Sequence, residues 1–196
     1  MTTSDPSGHL AENGNAGAEP ASPADLEIVA TQLGREPRGV LAISYRCPDG
    51  APGAVKTAPR LPDGTPFPTL YYLTDPRLTV EASRQESDGL MREMTARLGT
   101  DERLAENYRS AHERYLAARN AIEDLGTDFS GGGMPDRVKC LHVLMAYALS
   151  EGPGVCLLGD ESVSLAGDAG LRGTALPADW PTLAEVRGET PEEEDV

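Results

Sequence analysis

The stretch Gly39-Val40-Leu41-Ala42-Ile43-Ser44-Tyr45-Arg46, followed by Cys47-Pro48-Asp49-Gly50, decides the fold class. Its first eight residues are rich in β-branched and aromatic side chains, which suit a pleated and half-buried surface, so they read as a strand. The next four are turn chemistry, because Pro48 fixes φ and Gly50 accepts a positive φ. A second short strand follows over 53–58, and Thr69 to Leu73 makes a third. Between them, Pro59-Arg60-Leu61-Pro62-Asp63-Gly64-Thr65-Pro66-Phe67-Pro68 carries four prolines in ten residues. That density excludes a helix and allows pairing only at a sheet edge, so the segment is a stiff extended loop that presents Phe67 between two prolines.

Outward from this sheet the chain is helical. On the N-terminal side Ser22, Pro23 and Asp25 form a helix start: a cap, a proline in the first turn and an acid at the third position. Leu26, Val29 and Leu33 then share one face, and Gly34 supplies the stop. On the C-terminal side Thr74-Asp75-Pro76 opens helical sequence over 76–87 and 89–98, divided near Gly89. Thr100 is expected to cap a longer helix to about 125. There Leu104, Tyr108, Ala111, Tyr115, Ala118, Ile122 and Leu125 recur at alternating spacings of four and three, a seam that calls for a partner helix, in this chain or in a second copy. Gly131-Gly132-Gly133 reads as a flexible break, and Pro135 as the start of a final helix to about Ser150, ended by Gly152-Pro153. Its apolar residues spread nearly all round, which makes it central. The fold class is α+β: a small antiparallel sheet of about three strands packed with four to five helices.

Composition bounds the function. The chain has 196 residues, a net charge of -15, 39% hydrophobic and 5% aromatic residues. That length predicts one domain, or one domain with tails. Residues 1–24 carry a balance of -3 and residues 166–196 a balance of -6, so more than half the acidity lies at the ends. Both ends are rich in Gly, Ala, Pro and Glu and poor in aromatics, hence read as disordered tails around a single domain over 25–165, with a short contact near Trp180 and Leu183. The run Glu192–Asp195 reads as a solvated end, or as an interaction tail. The acidity argues against nucleic acid, which recruits clustered Lys and Arg. No stretch approaches a membrane span, so membrane insertion is not expected. The first 25 residues lack a basic and apolar leader, and three cysteines make no disulfide framework, which together predict a cytoplasmic protein.

Several segments are long enough to carry a resemblance: Arg46-Cys47 to Gly50, Pro59 to Thr69, Tyr71-Tyr72-Leu73-Thr74, Ala111-His112-Glu113-Arg114-Tyr115, and Gly133-Met134-Pro135-Asp136-Arg137-Val138-Lys139-Cys140-Leu141-His142. Over roughly 26–165 the chain resembles a bacterial family catalogued as domain of unknown function 501. The resemblance implies domain boundaries and no assigned activity. The family's genes lie near those of a septum-formation protein and an exopolyphosphatase, which implies a link to cell division. The chain departs from the family pattern at Asp75, where a cysteine is usual, and at Tyr147, where a histidine is usual. It also has Cys156-Leu157 near Gly159-Asp160, where Asn-Pro is usual.

Three constellations could carry chemistry. Cys47, Asp75, Cys140 and His142 are the candidate metal ligands. Cys140 and His142, two apart on the expected helix, would lie about 200° around it, which argues against one shared ion. The structural alternative is a buried thiol and a core histidine bonded to a carbonyl. Cys47 or Cys140 with His142 or His112 could form a thiolate–imidazole pair, with Arg46, Arg137 and Lys139 nearby to depress a thiol pKa, although no cysteine-hydrolase signature surrounds either cysteine. The third reading is an anion pocket. Lys56 and Lys139 are the only lysines in the chain. With Arg46, Arg60, Arg137 and His142 they would bind a small phosphorylated or carboxylated ligand, helped by a helix N-terminus after the triple glycine. No Gly-Lys-Ser/Thr ending follows, so a nucleoside triphosphatase and its cofactor set are not indicated. The structural alternative pairs these cations with acids such as Glu36, Asp63 and Asp136. The function expected is thus anionic-ligand binding. The alternatives are a non-enzymatic adaptor that offers Phe67 to a protein partner, and a metal- or thiol-dependent enzyme.

Overall fold

The computed structural model describes residues 18–189. In chain order the elements are α1 (Pro23–Leu33), β1 (Val40–Arg46), β2 (Pro52–Thr57), β3 (Tyr71–Leu73), α2 (Pro76–Ser87), α3 (Leu90–Leu98), α4 (Glu102–Asn120), α5 (Leu141–Glu151), α6 (Leu157–Ala166) and α7 (Leu183–Arg187). The three strands form one antiparallel sheet in the order β1-β2-β3, and the class is α+β. No helix among the described residues is long and apolar enough to cross a membrane.

Local chemistry accounts for most boundaries. Ser22 and Asp25 make a reciprocal capping box on α1, and Gly34 closes the helix at φ 66°. Of the expected apolar face, Val29 is fully buried and Leu33 half-buried, while Leu26 stays exposed. Gly89, at φ 88°, divides α2 from α3. Successive strand residues face opposite sides of the sheet. Ile43 and Val55 therefore meet Val29 of α1 in a small cluster, whereas Ala54, Tyr71 and Leu73 enter the main core around α5. There Tyr71 stacks on Tyr147 at 5.5 Å, and Tyr115 meets both rings edge-on. Their hydroxyls are satisfied within the protein: Tyr147 donates to Ala111 O at 3.0 Å, and Tyr115 accepts from the Leu70 amide at 2.6 Å.

Three expectations are corrected. Helix α4 is capped by Asp101 and ends at Asn120, so Ile122, 41% exposed, and Leu125 lie beyond the seam. Helix α5 starts at Leu141, not at Pro135, because residues 131–140 form a pinned turn instead of a flexible break. A Cβ on Gly131 would fall 2.6 Å from Val143 Cγ1 and 3.0 Å from the Tyr115 hydroxyl, and Gly132 and Gly133 sit at φ 67° and 95°. Close approach and left-handed backbone, not looseness, require the glycines. The C-terminal segment is ordered well past residue 166. Gly167–Leu171 continues α6 as a π-turn, and Ala175, Leu176, Trp180 and Val186 enter the core. Residues 18–24 are likewise placed, with Glu19 bridged to Ile43. The remainder of the expected N-terminal tail, and the run Glu192–Asp195, lie outside the described residues.

Helix α6 buries an unusual amount of polarity. Glu161 is held by Arg97 at 2.6 and 2.8 Å and by Arg187 at 3.1 Å, which fastens α7 to α3 and α6. Asp160 has no cation within ion-pair distance among the described residues. Its Oδ2 accepts the Gly154 amide at 2.7 Å, and its Oδ1 has no partner. Burial pushes this carboxyl up to about 7, and the Gly154 bond only partly opposes that. The folded state thus binds the proton more tightly than the unfolded chain. The stability from Asp160 is fully present below its ordinary pKa of 3.8 and is lost as pH rises through about 7. Asp160→Asn keeps an acceptor for Gly154 and never ionises. Urea denaturation is expected to show it more stable than wild type by about 1–3 kcal/mol at about pH 8, with the advantage gone near about pH 4.

Candidate functional site

The structure separates the cations that the anion reading grouped together. Arg46, at the end of β1, donates to Asp25 at 3.0 Å, to the Gly50 carbonyl at 2.8 Å and to Glu19. With the Ser22 cap bonds, this pair holds the Asp25 carboxyl down at about 2. Arg60 is engaged by Glu123 at 2.5 Å. Lys56 lies on β2 opposite Tyr71, on the strand face away from α1, and makes no ion pair among the described residues. Arg46 and Arg60 are thus each engaged by carboxylates of the protein itself.

Cys47 and Asp75 meet in the core. The Cys47 thiol approaches Asp75 Oδ2 at 3.7 Å. Asp75 is the cap of α2, accepts the Arg77 amide at 2.9 Å and receives the Arg77 guanidinium at 2.7 and 3.0 Å. Burial and the Asp75 charge push the Cys47 thiol up to about 12, the reverse of what a nucleophile requires. Cys156 is also buried and pushed up to about 12. These two cysteines behave as small apolar side chains with a weak donor.

Arg137 and Lys139 sit elsewhere, on the rim of a cleft of about 740 Å³ between α4 and residues 127–140. His112 lines its wall and meets Ser130 Oγ at 2.9 Å. Both cations belong to the turn before α5, not to its first turn, and that turn is rigid. Val138 N donates to Thr95 Oγ1 at 3.0 Å, Lys139 N to Gly132 O at 2.7 Å, and Tyr108 donates to Arg137 O at 3.2 Å. From the opposite side Arg119, fully buried at the end of α4, donates to the carbonyls of Thr127 and Phe129. Nothing in the sequence placed Arg119 or Ser130 here. The amides of Gly131, Gly132 and Gly133 donate to no described residue. Asp128 and Asp136 also line the cleft, yet neither lies within ion-pair distance of Arg137 or Lys139.

The N-terminus of α5 is not free for a ligand, because the protein's own Glu86 occupies it. Glu86 Oε1 accepts the Leu141 amide at 2.7 Å and lies 3.1 Å from His142 Nδ1. Cys140, the extended cap residue of α5, places its sulfur 3.9 Å from the same nitrogen. Since Cys140 is not in the helix, the expectation that it and His142 diverge by 200° fails. The Glu86 carboxylate, the Cys140 thiol and the His142 ring converge, all within 4.8 Å of one another. The thiol and carboxylate together hold the imidazole up at about 9 against partial burial. Cys47 and Asp75 are not part of this cluster. Glu86 was absent from the candidates because only the packing of α2 on α5 brings it there.

His142 Nε2 meets Ser83 Oγ at 3.2 Å. Ser83–His142–Glu86 has the connectivity of a hydrolytic triad but not its environment. Ser83 lies within α2 and donates its proton to Thr79 O at 2.9 Å, and the amides around it belong to the helix, which leaves no donors for an oxyanion. The proline-rich loop folds back on the sheet. Phe67 is half-buried with its ring 6.4 Å from that of Tyr72, beside a groove of about 330 Å³ that Leu33, Val55 and Leu61 also line.

A family model described as "Protein of unknown function (DUF501)" matches residues 43–164, more than half of the chain. That span holds both the cleft and the Glu86–Cys140–His142 cluster. No curated protein and no solved structure matches the chain.

Proposed function

The chain belongs to the DUF501 family of proteins of unknown function, and from that starting point we propose that it binds a small phosphorylated or carboxylated ligand in the cleft between α4 and residues 127–140. The observation that carries this reading is placement. Arg35, Arg38 and Lys56 also lack an ion pair among the described residues, but Arg137 and Lys139 line the same cleft as a turn of glycine amides that donate to no described residue. Arg46, Arg60, Arg77 and Arg97 each pair with a carboxylate. Arg137 and Lys139 stand exposed on a rigid turn with no ion pair among the described residues. Beside them lie the three unspent glycine amides, and successive backbone N–H groups in a turn suit an anion. Phe129, 70% exposed at the same rim, offers a surface for an apolar or aromatic part of the ligand. The site has shrunk from the sequence expectation to Arg137, Lys139 and the glycine turn.

The test is calorimetric titration with inorganic pyrophosphate and citrate, then a thermal-shift panel of phosphorylated and carboxylated metabolites. Wild type is expected to bind at least one of them. Arg137→Ala combined with Lys139→Ala is expected to weaken that binding by at least about a hundredfold, since each charge-assisted contact contributes about 1.5–3 kcal/mol. The unliganded melting temperature should stay unchanged, because neither side chain holds the fold. Equal binding by the double variant, or no binding across the panel, rejects the proposal.

A further inference from the structure

At the edge of that cleft, with Cys140 on the border between them, lies a second site whose ligands do not include Arg137 or Lys139. We infer that Glu86, Cys140 and His142 form a binding site for a zinc-type divalent cation, with the fourth coordination position open to solvent. Thiolate, imidazole and carboxylate are the three donor types zinc takes, at about 2.3, 2.0–2.1 and 2.0–2.2 Å. Tetrahedral angles at those lengths put ligand atoms about 3.3–3.6 Å apart. The protein already holds Nδ1 of His142 at 3.1 Å from Glu86 and 3.9 Å from Cys140, with all three ligand atoms inside 4.8 Å. Movements of a few tenths of an ångström to about an ångström close the site.

The surrounding bonds orient the donors toward each other. Ser83 has one proton and gives it to Thr79 O. The contact between Ser83 Oγ and His142 therefore makes Nε2 the donor, and this turns the Nδ1 lone pair of the neutral ring toward Glu86 and Cys140. An outer hydrogen bond on the far ring nitrogen is the usual support of a metal-bound histidine. Glu86 is fixed likewise by the Leu141 amide. A lone pair, a carboxylate and a sulfur that converge on one point are satisfied either by a proton between them or by a metal ion. The position of the thiol favours the metal. A cap residue would normally be Ser, Thr, Asp or Asn, and Cys140 makes no capping bond. The other cysteine at a helix cap, Cys156, is wholly buried, whereas Cys140 is half-exposed and borders two clefts. Borderline donors with an open position suit Zn²⁺ and its spectroscopic substitute Co²⁺.

The full chain, reduced and stripped with a chelator, would be titrated with Co²⁺ and then with Zn²⁺. The expected result is one equivalent of cobalt, a thiolate-to-cobalt charge-transfer band in the near ultraviolet, visible bands of four-coordinate cobalt, and loss of all of them when zinc displaces it. Cys140→Ser places a good capping residue at the same site and so keeps the helix start, but should lose the charge-transfer band. Ser83→Ala should weaken zinc by about 10–100-fold through the freed ring. Arg137→Ala with Lys139→Ala should leave the spectrum unchanged, which separates this site from the anion cleft. A wild-type chain that is folded by circular dichroism yet takes up no cobalt overturns the site, as does a charge-transfer band that survives Cys140→Ser. Zinc affinity unmoved by Ser83→Ala overturns the orienting role of Ser83.

Discussion

A chain that ends at Ala166 is expected not to fold, although it would retain the sheet, the whole region matched by the family and both candidate sites. Ala175 and Leu176 are fully buried, and Trp180 and Val186 are 6% exposed. Burial contributes about 1.5–3 kcal/mol for each large apolar side chain, so these residues together supply on the order of 5–8 kcal/mol. That matches the net stability of a whole domain, about 5–15 kcal/mol. Removing them also uncovers α6, which packs against both α7 and Gly167–Leu171. The polar ties go with them. Ser164 loses the Pro181 carbonyl at 2.8 Å, and Glu161 loses Arg187 and keeps only Arg97 in a buried position. A chain ending at Glu189 keeps every described contact and serves as the control. Calorimetry should show a cooperative transition for the longer chain and none for the shorter. A shorter chain that melts cooperatively within a few degrees of the control would mean that residues 167–189 merely lie on a finished core.

This segment also explains where composition misleads. Residues 166–196 average out as an acidic, glycine-rich tail, but folding depends on positions, not averages. Four apolar residues suffice when each enters a core that α5 and α6 have already built. By contrast, whatever is encoded within a turn or two of its own residues was legible. The Ser22–Asp25 box, the Gly34 stop, the Gly89 break and the three strands all follow from local chemistry. Pro135-Asp136-Arg137 imitates a helix start for the same local reason, and is overruled at a distance by Tyr108, Thr95 and Glu86, which bind the turn as it stands. Ile122 and Leu125 continue the four-three spacing past the end of α4, because periodicity alone does not register where the backbone turns. The candidate sites divide in the same way. The types Arg137, Lys139, Cys140 and His142 could be named in advance. Glu86 and Ser83, which give the histidine its direction, come from a helix more than fifty residues earlier in the chain.

The Arg119 guanidinium is the second place where a large effect is expected, and there the sign carries the information. Arg119 is fully buried, and no described carboxylate lies within ion-pair distance. Its partners are the carbonyls of Thr127, at 2.8 Å, and Phe129, with Asn120 Oδ1 at 3.1 Å. A buried cation without a counter-ion is costly, so an apolar residue of similar length should stabilise the protein if the charge were simply tolerated. Two features oppose that outcome. Arg119 is in the last turn of α4, where the helix dipole favours a cation, and its planar fork ties down the carbonyls that start the cleft turn. Arg119→Met leaves those part-buried carbonyls without their partner, at about 1–3 kcal/mol each. The net expectation is a loss of about 2–4 kcal/mol in urea denaturation, larger for Arg119→Ala, which adds a cavity. Arg119→Lys restores the charge but not the fork and should fall between wild type and Arg119→Met. Below its melting transition, Arg119→Met should also bind the cleft ligand more weakly than wild type, because residues 127–133 lose the bonds that hold them against α4. Stability equal to or above wild type for Arg119→Met would show that the guanidinium is tolerated and not used. The turn would then depend on Tyr108, Thr95 and Glu86.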